Sequence, residues 1–215
     1  MTQLIAYYED EPVKLKSQVE VTQLPLSSAA DARSSEGIVR PKVIYVRAPS
    51  HGAPFLIPFG QYDEWSLRDR YNEAIRIMNE LGAATITCET FREVSAIRKA
   101  GGKLLKFGNA SAEQRKVENS GFDYKSLGTG SPPRDPRPLR WPDEPGFSAA
   151  VNSVLNNGAT QVTISIKSNR SHSVDSGLGL SLKKFGFDLG ASSQKSAATS
   201  LRIEANFPAF KKNWK

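Results

Sequence analysis

The sequence predicts an α+β fold, mainly antiparallel sheet in two pseudo-repeated α-β-β-β halves, each with one amphipathic helix. Three observations predict it. A helical pattern closed by glycine occurs twice, ending in "NELGAATITC" at 79–88 and "LNNGATQVTI" at 155–164. Each is followed at once by a β-branched run of alternating character, the mark of a strand returning along a helix. Setting Gly158 under Gly82 also aligns the helices before them, Tyr71 with Phe147, Ala74 with Ala150, Ile75 with Val151 and Met78 with Val154. The triplet "KFG" recurs in the same sense, at 106–108 and 184–186.

Taken in order, the chain opens with "MTQLIAYYEDEPVKLKSQ", a short apolar run that meets Glu9, Asp10 and Glu11 with no basic stretch before it. No signal peptide is expected from such a start. No apolar run approaches the ~20 residues of a spanning helix, so the expected location is cytoplasmic, with membrane association in an active form. Residues 22–41 are rich in Ser, Ala and charge without an apolar period, which predicts a long loop. Residues 1–41 are therefore expected to form an N-terminal strand and loop arm.

A first α/β half is expected over 42–128. "KVIYVRA" at 42–48 is β-branched and aromatic, a strand. The proline- and glycine-punctuated segment around Phe55, Leu56, Ile57 and Phe59 predicts an apolar loop or edge segment against the sheet. From Asp63 to Gly82 a helix is expected, with Ser66 and Asp69 in a capping-type arrangement at its entrance and Gly82 as its stop. Leu67, Tyr71, Ala74, Ile75, Met78 and Leu81 form its apolar stripe, and Arg68, Arg70, Glu73, Arg76 and Glu80 fall mostly off it.

Residues 129–145, "TGSPPRDPRPLRWPDEP", hold six of the thirteen prolines. Proline removes a backbone donor and fixes φ, so this is a connector and neither helix interior nor central strand. Asp143, Glu144 and Pro145 at its end suit the first turn of the following helix. The second half, 146–215, has clear strands in "QVTISIKS" and "SLRIEANF", with Val162, Ile164 and Ile166, then Leu201, Ile203, Ala205 and Phe207, on one face each. Between them Leu178, Leu180 and Leu182 alternate, and Phe185, Phe187 and Leu189 resume with the parity changed. A bulge or tight turn near Lys183 and Lys184 is the expected cause.

Charge separates the two halves. Residues 150–215 carry 9 Lys and Arg against 3 Asp and Glu, whereas residues 1–149 carry 20 against 19, so nearly all of the net charge of +7 belongs to the C-terminal third. A solvated basic face and an anion-binding face are both compatible with that asymmetry.

Catalytic chemistry has little to stand on. The single cysteine, Cys88, excludes an internal disulfide, and with two histidines no cluster of soft metal ligands is expected. Cys88 aligns with Ile164, an inward strand position, which predicts a small buried hydrophobe in place of a nucleophile. Ser171, His172, Ser173 and Asp175 have the inventory of a hydrolase triad, but neighbours on one loop point apart, and triads assemble from distant positions. His51 stands in the turn composition "APSHGAP". No Walker, dinucleotide-binding or HExxH pattern occurs, and no cofactor or metal is expected.

The sequence reading is therefore of a non-enzymatic, self-associating basic effector or assembly protein acting on anionic membranes through amphipathic β-strands. Its apolar strand face would be Leu178, Leu180, Leu182, Phe185, Phe187 and Leu189. Its anion-binding residues would be Lys167, Arg170, Lys183, Lys184, Lys195, Lys211 and Lys212. The expected partners are further copies of the chain and anionic lipid. The first alternative is a nucleic-acid-binding accessory protein using the same basic face, and the second is a hydrolase using His172.

Overall fold

The computed structural model describes residues 4–14, 21–48, 55–94, 113–116, 122–167, 182–190 and 200–209. It is α+β, with two five-stranded sheets. Compactness divides the chain elsewhere than at the proline connector, into residues 1–69 with 169–196 (unit 1) and residues 70–168 with 197–215 (unit 2).

In unit 1 the strands are β1 (Leu4–Tyr8), β2 (Val21–Pro25), β3 (Arg33–Ser34), β4 (Ile44–Arg47) and β5 (Phe55–Pro58). Their order is β2-β1-β4-β5-β3. β1 pairs β4 and β4 pairs β5 antiparallel, whereas β2 joins β1 and β3 joins β5 in parallel. The central strand is buried on both faces: Ile44 and Val46 face one core with Ala6 and Ile57, while Val43 and Tyr45 face another with Ile5, Tyr7 and Leu56. That is why "VIYV" is continuous in its hydrophobicity and not alternating.

Two expectations are corrected here. Residues 22–41 are not a loop arm outside the fold. They supply β2, a 3-10 turn at Leu26–Ala29 and β3, and Ala29 and Val39 are buried in the second core, with Leu24, Leu26 and Ala32 against it. Scattered apolar residues without a period suffice there, because an irregular chain covering a sheet face need not repeat. The backbone is nevertheless tied down: the Lys42 N–H donates to the Tyr7 carbonyl at 2.8 Å, and the Arg40 N–H to the Tyr45 hydroxyl at 2.9 Å.

The second correction concerns the apolar strand face around Lys183; the tight turn expected there as one of two causes is present. Residues 182–184 are helical, not extended. Gly186, at φ +84°, reverses the chain after them, and the Phe187 N–H returns to the Leu182 carbonyl. A single parallel bridge then joins Asp188 to Val43: the Asp188 N–H donates to the Lys42 carbonyl and the Ile44 N–H to the Asp188 carbonyl, each at 2.8 Å. Leu182, Phe187 and Leu189 are thereby buried in the first core. The change of parity records a helical turn between two anchor points, so this stretch is not one long strand.

Helix α1 (Tyr62–Glu80) opens with Asp63 and Glu64 in its first turn, where carboxylates favour the positive end of the helix dipole. Ser66 does not cap it. It stands inside the helix, past its first turn, and its hydroxyl donates at 3.0 Å to the Asp63 carbonyl.

Unit 2 contains α1 from Arg70 onward, β6 (Thr85–Val94), β7 (Glu113–Lys116), β8 (Tyr124–Leu127), α2 (Pro145–Leu155), β9 (Gln161–Lys167) and β10 (Ser200–Asn206). The order is β7-β6-β10-β9, with β8 on the same side of β6 as β7, and every pairing is antiparallel. Period-2 burial is clean: Ile164, Ile166, Leu201, Ile203, Ala205, Ile86 and Cys88 are buried, and their neighbours line the other face. α2 starts at Pro145 as its composition predicts and lies on the buried face against β9, with Phe147, Ala150, Val151 and Val154 inward. Both helices end at a glycine of positive φ, Gly82 at +81° and Gly158 at +65°.

Candidate functional site

The predicted basic residues that are described belong to two different compact units. Lys167 is exposed at the end of β9 in unit 2, opposite Ser200 of β10. Lys183 and Lys184 are exposed in unit 1, on the helical turn that follows Leu182. Arg170, Lys195, Lys211 and Lys212 lie outside the described residues. Of the predicted apolar face, Leu182, Phe187 and Leu189 are core and Phe185 is half-buried beside them, while Leu178 and Leu180 lie outside the described residues.

The lysine pair of unit 1 is nonetheless a built feature. Leu182 before it and Phe187 after it are almost fully buried. The chain between them is closed by hydrogen bonds from the Phe185 and Phe187 N–H groups to the Leu182 carbonyl and from Gly186 to Lys183. Gly190, at φ +79°, then lies so close to Pro58 that a Cβ there would stand 2.5 Å from the Pro58 Cβ. Two adjacent cations are thus presented from a short, doubly anchored turn.

The wet face of the unit 2 sheet is read directly from the register. Its rows are Gln161–Asn206–Thr85–Leu127, Thr163–Glu204–Thr87–Lys125, Ser165–Arg202–Glu89 and Lys167–Ser200–Phe91. Arg202 bridges Glu204 at 2.7 Å on this face. Apart from Leu127 and Phe91 the surface is polar, and it is close to neutral, with Lys125 and Lys167 at opposite sides of it.

The most constrained polar cluster was not foreseen. Arg70 and Glu73, expected off the buried stripe of α1, are buried in unit 2, with Ile77 beside them. The proline connector causes this by lying over that flank of the helix. Glu73 accepts hydrogen bonds from Arg76 at 2.8 and 2.7 Å and from the Arg140 N–H at 2.8 Å. Arg76 also donates to the Pro136 carbonyl at 3.0 Å. Arg70 reaches Glu144 at 3.2 Å, with its guanidinium 5.6 Å from the centre of the Trp141 ring. Backbone ties from Ser131 to Gly82 and from Arg134 to Glu80 complete the strap.

This cluster fastens the connector to α1. Burial alone would raise the Glu73 carboxyl, but the Arg76 side chain and the Arg140 backbone more than offset it, and the group titrates below its ordinary value. A carboxylate so fully supplied with donors is a poor proton acceptor. The available signal was the pairing of Arg70, Glu73 and Arg76, at successive i, i+3 positions, with the charges of "PRDPRPLRWPDE".

Cys88 is buried in β6, as its alignment with the inward-facing Ile164 predicts. Burial, aided by Asp123 and Glu89, pushes its thiol up to about 12, so the nucleophilic thiolate is essentially unpopulated at neutral pH. A thiol reagent at pH 8 is expected to label Cys88 only as fast as unit 2 opens, with labelling accelerating in urea along the unfolding curve. Prompt stoichiometric labelling of the native protein would refute the buried assignment. Tyr71 is likewise raised to about 12 by burial, with Cys88, Tyr124 and Asp123 adding to it.

His51, Ser171, His172, Ser173 and Asp175 lie outside the described residues. Among the described residues no group of three or more His, Cys, Asp or Glu could hold a metal ion, and no helix is long and apolar enough to cross a membrane. Comparison with protein-family models, with curated proteins and with solved structures finds no match to this chain.

Proposed function

We propose that this chain is a non-enzymatic, self-associating basic protein that acts on anionic membranes, its apolar segment stowed in the core of unit 1 until it meets lipid. One observation carries the reading: exposed Lys183 and Lys184 stand directly on a segment whose Leu182, Phe187 and Leu189 fill that core. Interfacial binding combines cationic attraction with buried apolar area. Each basic residue near an anionic surface contributes about 1 kcal/mol. Two lysines alone are therefore too weak at physiological salt, and apolar insertion together with several copies per assembly must supply the rest.

The test separates binding from insertion. Dye release and co-sedimentation are measured with anionic and neutral vesicles, for the wild type and for Lys183→Glu with Lys184→Glu. The charge reversals are expected to abolish binding to anionic vesicles. A second variant, Val43→Cys with Asp188→Cys, pins the segment where Val43 and Asp188 face each other in the bridge. Oxidised, it is expected to bind vesicles without releasing dye, and reduction is expected to restore release. Release by the oxidised protein, or binding indifferent to vesicle charge, overturns the proposal.

A second reading, a nucleic-acid accessory protein, is supported by the open polar face of the unit 2 sheet, with Lys125 and Lys167 exposed and Phe91 half-exposed on it. It predicts salt-dependent oligonucleotide binding that Lys125→Glu and Lys167→Glu weaken while vesicle binding stands.

The proposal includes an internal duplication as the origin of the fold. It is supported by the positive-φ glycine that ends each helix, and by β6 and β9, the strands that follow, flanking β10 on its two sides.

A further inference from the structure

Among the described residues the unit 2 sheet has an open edge at β9, and three observations bear on what meets it. The first is the hydrogen-bond phase. The Phe207 N–H donates to the Thr160 carbonyl at 2.8 Å, and Phe207 and Thr160 fall on the register that pairs Asn206 with Gln161. Bonded pairs alternate along an antiparallel ladder. Thr160, Val162, Ile164 and Ile166 therefore spend their backbone groups on β10, and Gln161, Thr163, Ser165 and Lys167 turn theirs outward. Among the described residues no other strand pairs with β9.

The second observation is charge. Residues 145–166, which make up α2, the turn after it and all of β9 except Lys167, contain no Asp, Glu, Lys, Arg or His, in a chain that is 24% charged. Interface cores are depleted in charged residues in this way, whereas free surfaces are not.

The third is the lack of edge protection. Natural edge strands are blunted by lysines, proline, bulges or inward charges. β9 has no proline, and its seven-residue register with β10 has no bulge. Its lone charge, Lys167, is at its end.

We infer that β9 is the self-association strand of this protein and that it pairs antiparallel with β9 of a second copy about a two-fold axis at Ile164. The phase permits this register. Centred on Ile164, Gln161 meets the partner's Lys167, and Thr163 meets the partner's Ser165. These are the residues with outward backbone groups, so four hydrogen-bonded pairs form. No like charges oppose one another. Ile164 faces the partner's Ile164, and Val162 faces the partner's Ile166, so the apolar face continues across the axis and the polar face remains polar. A two-fold contact requires such self-complementarity.

This inference rests on the self-association in the proposed function, and its test distinguishes the two. Sedimentation equilibrium is expected to give twice the chain mass for the wild type. Thr163→Pro removes one outward N–H and no bond to β10, a change that edge strands accommodate. It is expected to give the single-chain mass with an unchanged circular dichroism spectrum. Thr163→Cys with Ser165→Cys, should the proline variant fail to fold, is expected to give a disulfide-linked dimer on oxidation.

A wild type of single-chain mass overturns both the inference and the self-association. A folded Thr163→Pro protein that keeps the doubled mass, or a double-cysteine variant that stays unlinked within a dimer, overturns β9 as the contact and leaves self-association standing. Vesicle binding through Lys183 and Lys184, measured on the same samples, reports separately on the membrane reading.

Discussion

Replacing Glu73 with alanine is expected to lower the stability of unit 2 by about 3 kcal/mol, the low end of the cost of breaking a buried ion pair. The low end applies because the Arg76 side chain is 36% exposed and can regain water, while that of Glu73 is fully buried. Much of the loss should come from the connector, since the Arg140 N–H loses its acceptor along with Arg76. Glu73→Gln keeps an acceptor and should recover part of it. Urea unfolding followed by the circular dichroism of the helices measures all three proteins.

Acid provides a second readout of the same residue. The folded-state value of Glu73 lies below the ordinary 4.5. Its ionised form therefore contributes stability that is complete above that value and is lost as the pH falls through the lower, folded value. Wild-type stability should decline in that acid window more steeply than that of Glu73→Gln. Parallel declines would show that Glu73 is not ionised in the fold.

The second large effect is expected at the end of α1. At Gly82, φ is +81°, and an added Cβ would stand 1.9 Å from the Ser131 carbonyl oxygen, a backbone atom that cannot swing aside. At Gly158, φ is +65° and nothing lies within 4 Å. Gly158→Ala should therefore cost only the left-handed conformation, about 1–2 kcal/mol. Gly82→Ala should cost that and also push Ser131 away from its 3.2 Å bond to the Gly82 carbonyl, freeing the start of the strap. A difference of at least ~2 kcal/mol between the two variants is expected, since displaced packed backbone adds to conformational strain. Equal losses would mean that the strap is not seated against α1.

These two sites also show where the sequence was readable. The glycine stops, the entrance at Pro145 and the alternation of β9 and β10 are local: each depends on backbone sterics or on a two-residue period, and each stands in the structure. Burial of Arg70 and Glu73 is not local. A helical period shows which side of α1 is apolar but not that a distant, proline-rich stretch will cover its polar flank, and it passed over Ile77 for the same reason. The stretch 22–41 was misread because irregular chain over a sheet face leaves no period. At Lys183 the parity slip was visible, and a bulge and a tight turn fit it equally well; the structure has the turn, and the glycine at 186 was the cue to it. Of the basic residues, sequence could count the charge but not group it, because Lys167 belongs to one compact unit and the Lys183–Lys184 pair to the other.

The place of β10 in the unit 2 sheet has a consequence for how the protein comes into being. β10 holds β6 on one side and β9 on the other, yet it follows both in sequence, its Ile203 pairing with Cys88 across about 115 residues of chain. A nascent chain is elongated at about 5–20 residues per second. For seconds, then, β6 and β9 are on hand with their apolar faces made and their common neighbour not yet synthesised. Such long-range closure is slow in any case, and the uncharged run through β9 is the stretch most in need of shelter from other nascent chains while it waits.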